Sequence, residues 1–144
     1  MGSTSPWLLW AALSAVFAAL TAVLAKLGLQ QVDPDFASLL RTGFILGVLA
    51  IYVVALGKWR DPATLAPATW GWLFASALAT GASWLCYFRA LKLGDAARVA
   101  AVDKLSVVLV AIFAFVVLRE RLDARGWTGV AFVATGVVLL ALRR

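Results

Sequence analysis

Five stretches of about 20 residues, each nearly free of charge, dominate the sequence: 7–27, 36–56, 69–91, 96–118 and 125–142. That is the length an α-helix needs to cross the ~30 Å hydrocarbon core of a bilayer. Lipid offers no hydrogen bonds, so a segment of this kind must satisfy its own backbone, and a helix does so. The breaks between the stretches carry helix-stopping residues and charges. Gly28 and the turn signal Asp33-Pro34-Asp35 follow the first, Gly57 and Lys58 close the second, and Pro62 and Pro67 lie in the loop after it. Gly94 stops the third, Asp95 is placed to cap the fourth, and Arg143 and Arg144 follow the fifth. Trp7, Trp10, Trp59, Trp70, Trp72 and Trp127 fall near the ends of the stretches, where interfacial aromatics belong. Composition agrees, with 64% hydrophobic and only 14% charged residues, whereas a soluble domain carries about 25% charged. The expectation is an all-α polytopic membrane protein with five transmembrane helices, forming one transmembrane domain over 1–144 with no soluble part.

Several function classes drop out. The net charge is +6, but the basic residues sit mostly between and beyond the apolar runs, where anionic lipid headgroups would meet them, so no nucleic-acid partner is expected. Histidine is absent and Cys86 is the only cysteine, which leaves no disulfide framework, no Cys/His metal site and no expected cofactor. No serine has a base beside it, glycine-rich phosphate loops are missing, and the loops are too short to build a catalytic centre, so enzyme activity is not expected. The N-terminus lacks a basic n-region, and no cleaved signal peptide is expected. The protein is placed as an integral membrane protein of a prokaryotic cytoplasmic membrane.

Five spans put the two termini on opposite sides of the membrane. Lys58, Arg60, Arg119, Arg121 and Arg125 then fall on one side, and Lys26, Arg89, Lys92, Arg98, Arg143 and Arg144 on the other. Orientation normally follows a clear cytoplasmic excess of Lys and Arg. Here the two sides nearly balance. One reading is weak orientation set by other signals; the other is insertion in both orientations, giving an antiparallel homodimer of the inverted-repeat kind that many transporters use.

Charges inside spans point to function. Asp103 and Lys104 lie about 12 Å into the fourth span at 1.5 Å per residue, and each costs roughly 2.5–3.5 kcal/mol at a helix centre. Adjacent residues of a regular helix point about 100° apart, so this pair is not expected to satisfy itself. Arg41 lies inside the second span, Arg89 near the end of the third and Lys26 near the end of the first. By connectivity all five belong to one leaflet half. Snorkelling is the plainer reading for Lys26 and Arg89; a cavity is the reading for at least one of Asp103 and Lys104. In the third span Thr80, Ser83, Trp84 and Tyr87 share one helical face, with Gly81 between them, and Ser14 and Thr21 share a face of the first. Helix packing explains such residues as readily as a cavity wall does. The candidate substrate-binding set is therefore Asp103, Lys104, Arg41, Arg89, Trp84, Tyr87, Thr80, Ser83, Ser14 and Thr21. The fifth span offers Thr128, Gly129, Thr135 and Gly136, a pattern of packing or dimer contact.

Leu118-Arg119-Glu120-Arg121-Leu122, followed by the glycine-spaced helix Gly126 to Leu142, resembles the end of an EamA-type repeat of the drug/metabolite transporter superfamily. Lys26-Leu27-Gly28 and Tyr87-Phe88-Arg89-Ala90-Leu91 before Gly94 are similar to that repeat as well, so the resemblance covers nearly the whole chain. It implies one half of an inverted-repeat, ten-helix transporter, completed by dimerisation. It also implies small-metabolite export, nucleotide-sugar carriage or flipping of lipid-linked sugars. The small multidrug branch of the superfamily relies on a glutamate in its first helix, and the first span here has no acidic residue, so cationic drug export is not expected. The expected function is alternating-access transport of a small polar, carboxylate-bearing or amino-acid-like metabolite by an antiparallel homodimer. Asp103 would pair with Arg41, Arg89 or Lys104 to close one end of the cavity. Two alternatives stand beside it: a lipid-carrier or lipid-linked-sugar flippase, and a non-transporting membrane partner subunit.

Overall fold

A computed structural model describes residues 6–142; Arg143 and Arg144, expected to close the last span, lie outside the described residues. Every regular element among those residues is helical: α1 (Pro6–Gly28), α2 (Pro34–Ala55), a short turn of 3₁₀ helix (Pro62–Thr64), α3 (Pro67–Leu93), α4 (Ala96–Asp103), α5 (Leu105–Val116) and α6 (Ala124–Leu142). Four segments are long and apolar enough to cross a membrane: α1, α2, α4 together with α5, and α6. The expected fifth, α3, has the length but not the hydropathy. Thr69, Gly71, Ser76, Thr80, Gly81 and Ser83 dilute its apolar residues.

Few side chains are buried: Ala22, Leu29, Phe88, Leu91, Ala111 and Val137 among the apolar ones. Phe44 at 74% and Trp72 at 78% exposure stand for dozens of large apolar side chains left uncovered. In water that surface would drive aggregation; in lipid it is the solvated surface.

The helix ends follow local chemistry. Asp33 caps α2, its carboxylate accepting from the N–H groups of Asp35 at 3.0 Å and Phe36 at 3.1 Å, with Pro34 pre-set at the first helical position. The end of α2 is a Schellman motif: Gly57 N–H donates to Val54 and Lys58 N–H to Val53, each at 2.9 Å, with Gly57 at φ 61°. Asp123 receives the Gly126 N–H at 2.8 Å ahead of α6. Asp95 stands at the cap position of α4 but makes no side-chain cap bond.

The chain divides into two compact units, Leu24–Lys92 and Met1–Val23 with Leu93–Arg144. In the second of these, α4 and α5 both pack on α6. Phe115 meets Trp127 edge-on at 6.2 Å, and Arg98 donates to the Ala141 carbonyl at 3.0 Å, satisfying an orphan acceptor at the end of α6. The expected continuous helix 96–118 is interrupted at Lys104. Its N–H turns back to Ala101 and its carbonyl receives Val107 N–H, both at 3.0 Å, so the ladder tightens from four-residue to three-residue steps. Beyond Val116, the Glu120 N–H reaches Ala114 at 3.0 Å while Arg119 adopts φ 57°.

Arg119 and Gly57 occupy the same left-handed region with opposite consequences. A side chain there costs roughly 1–2 kcal/mol. Thermal unfolding in detergent micelles should show Arg119→Gly raising stability by about 1 kcal/mol and Gly57→Ala lowering it by a similar amount.

Candidate substrate site

The polar chemistry of the unit Leu24–Lys92 gathers where α1 ends, α2 begins and α3 ends. Helix ends leave carbonyls without partners, and two lysines fill that need. Lys26 Nζ donates to the Leu91 carbonyl at 2.6 Å. Lys92 Nζ donates to the carbonyls of Leu29, Gln30 at 3.0 Å and Val32 at 3.3 Å, so the linker before α2 is tied to the end of α3. A cleft of about 220 Å³ lies among Lys26, Leu29, Gln30, Leu91 and Lys92. Lys26 thus caps the end of α3.

Arg89 is committed as well, to a carboxylate at the start of α2. Its Nε and Nη2 donate to the two carboxylate oxygens of Asp35 at 2.9 and 2.7 Å, a fork-on-fork pair. Deeper along the same two helices, the Arg41 guanidinium lies over the Trp84 ring at 4.5 Å and near the Phe88 ring at 5.5 Å. Asp35 meets Arg89 and Arg41 meets Trp84, so advancing along α2 retreats along α3, as antiparallel neighbours do. No close backbone packing joins the two helices; long side chains span the gap. Cation–π contacts of this kind are worth roughly 0.5–2 kcal/mol, and they offset part of the cost of the charge without an ion pair. Arg41 makes no ion pair among the described residues.

The other candidates fall as follows. Tyr87 is half-buried and meets Phe88 edge-on at 6.5 Å. Thr80 donates to the Ser76 carbonyl of its own helix at 2.9 Å, and Ser83 is exposed. On α1, Ser14 is exposed and Thr21 half-buried. Asp103 and Lys104 stand 3.6 Å apart. That corrects the expectation that the two would not satisfy each other, which assumed a regular helix; the ladder breaks at Lys104. Phe88 was legible as the residue between Tyr87 and Arg89, whereas Asp35 lies in the turn signal Asp33-Pro34-Asp35 and adjoins no predicted site residue.

The EamA-like transporter family matches residues 5–142, almost the full span of these helices. The chain belongs to that family. A relative from a Sinorhizobium species, described as an uncharacterized transporter in the cobO 3′ region, is 59% identical over 136 residues, covering 94% of this chain and 96% of the relative. A second, from Pseudomonas fluorescens, is described as a probable 4-amino-4-deoxy-L-arabinose-phosphoundecaprenol flippase subunit, ArnE. It is 34% identical over 74 residues, 49% of this chain and 62% of that protein. No solved structure matches the chain. This EamA family member is therefore a transmembrane transporter, integral to the bacterial cytoplasmic membrane.

Proposed function

We propose that the protein carries a small, carboxylate-bearing metabolite across the membrane by alternating access, as an antiparallel homodimer. The observation that carries this reading is the Arg41 guanidinium, placed over the rings of Trp84 and Phe88 with no carboxylate partner among the described residues. A guanidinium so placed is a bidentate receptor for a carboxylate or phosphate oxygen pair. Trp84 and Tyr87 would take the apolar portion of the solute, and Thr80 and Ser83 of the same helix would add hydroxyls.

On this reading α3 is the fifth crossing helix. Its low hydropathy is what a cavity-lining helix shows, since only part of its circumference faces lipid. Two copies in opposite orientation would supply ten helices around the cavity, a form that the near balance of Lys and Arg on the two sides favours. Asp103 and Lys104 would be a second polar element of the mechanism, paired as they are here in one state and exchanged in the other.

A second reading has its own support in the partial similarity to a phosphoundecaprenol-sugar flippase subunit. The same basic residue would then hold a lipid phosphate. Exchange in proteoliposomes separates the two. Uptake of a labelled amino acid or other carboxylate, undiminished by added lipid phosphates, is the expected result; inhibition by lipid phosphates but not by soluble carboxylates would favour the flippase. Reporters fused after Arg144 test the assembly, with cytoplasmic and periplasmic signals of similar strength expected for dual insertion. Signal on one side alone removes the antiparallel homodimer.

A further inference from the structure

We infer that Asp35 is a specificity-determining residue, which neutralises Arg89 and so lowers the site's affinity for a dianion relative to a singly charged anion, a carboxylate or a phosphodiester. This rests on the reading of Arg41 as the anion receptor.

The charges of this unit at the shared end of α1, α2 and α3 are Lys26, Arg41, Arg89 and Lys92 against Asp33 and Asp35. Most are committed. Asp33 caps α2. Lys92 has three carbonyl acceptors for its three N–H groups, and Lys26 donates to the carbonyl of Leu91. Arg89 has both prongs of its fork on Asp35. Arg41 is the cation left facing aromatic rings instead of an acceptor.

Spacing decides what would follow if Arg89 were released. Six residues of α2 separate Asp35 from Arg41, and five of α3 separate Trp84 from Arg89, so the Asp35–Arg89 pair lies about 8–9 Å along the helices from Arg41 at 1.5 Å per residue. That is about one Debye length at physiological salt, so the effect is largest at low ionic strength, where the test is run. A freed Arg89 would therefore act on an anion held at Arg41, and on a dianion twice as strongly as on a monoanion. Paired with Asp35, it presents a neutral pair instead. Asp35 touches Arg89 and not the solute; it acts by setting the field at the mouth.

The test is binding of benzoate and phenyl phosphate to the purified protein in neutral detergent at low ionic strength, by calorimetry at about pH 8, where a phosphate monoester is doubly charged. Asp35→Asn should shift the affinity ratio toward phenyl phosphate by about fivefold or more, from a unit charge at this range. Arg89→Gln, which leaves Asp35 unpaired, should weaken both ligands and phenyl phosphate more, and the double variant should return to the wild-type ratio. That return distinguishes field from packing. Displacement of benzoate by phosphatidylglycerol would assign the monoanion to a lipid headgroup, and resistance to it would assign a free solute. A ratio unchanged within about twofold in both single variants, with the wild type binding, overturns the role of Asp35 alone. Failure of the wild type to bind either probe overturns it together with the anion receptor at Arg41.

Discussion

Arg41→Ala is expected to reduce carboxylate exchange in proteoliposomes by about 30-fold or more while leaving the amount of inserted protein unchanged. The removed group would be a charge-assisted, bidentate donor, worth about 1.5–3 kcal/mol; a factor of 30 corresponds to about 2 kcal/mol. Removing it also relieves a cost, because a guanidinium with no ion-pair partner is an expense to a membrane segment. Stability should therefore hold or rise as transport falls, which a residue kept for packing would not show. Arg41→Lys sharpens the test. An ammonium keeps the charge but lacks the planar fork that meets two oxygens. It should recover only a small part of the loss. Full activity in Arg41→Ala would remove the anion receptor from the mechanism.

Asp103→Asn is expected to abolish exchange as well, for a different reason. Asp103 and Lys104 meet at the interruption between α4 and α5, and a membrane charge of this kind is tolerated when it is paired or faces a cavity. The amide keeps the size and some hydrogen bonding but gives Lys104 no opposite charge. Substrate binding at Arg41 should survive while turnover between the two states fails. Equilibrium binding within about threefold of wild type, beside exchange reduced by about tenfold or more, is the expected pattern, since a state equilibrium biased by 1.4 kcal/mol is a tenfold change. Normal exchange would show that the ion pair is only local.

Much of the architecture was legible because membrane helices obey simple length and polarity rules. Gly57 and Asp33 announced the ends of α2 through residue chemistry alone, and the run Leu105–Val116 contains no charge to confuse it. The break at Lys104 was not legible. Its two sides read as one apolar period, and the departure is a matter of three-residue backbone steps that no single residue type encodes. The low hydropathy of α3 was visible, and the polar face that causes it was noticed; its effect on the span count was not drawn. At the site, Trp84 and Arg41 were each singled out, but their contact depends on which faces of two helices meet. Asp35 was missed because Asp33-Pro34-Asp35 reads as a turn. The clue was available in connectivity, since the first turn of α2 and the last of α3 must lie at the same end of antiparallel helices.

The three-carbonyl grip of Lys92 makes the linker between α1 and α2 a strap rather than a hinge. Loops are usually where a protein bends, but residues 29–32 are fastened to the end of α3 by an ammonium group that has no donor left to release cheaply. This end of the unit behaves as a stiff plate carrying the roots of α2 and α3. Bending of this unit is therefore expected along its helices and not in residues 29–32.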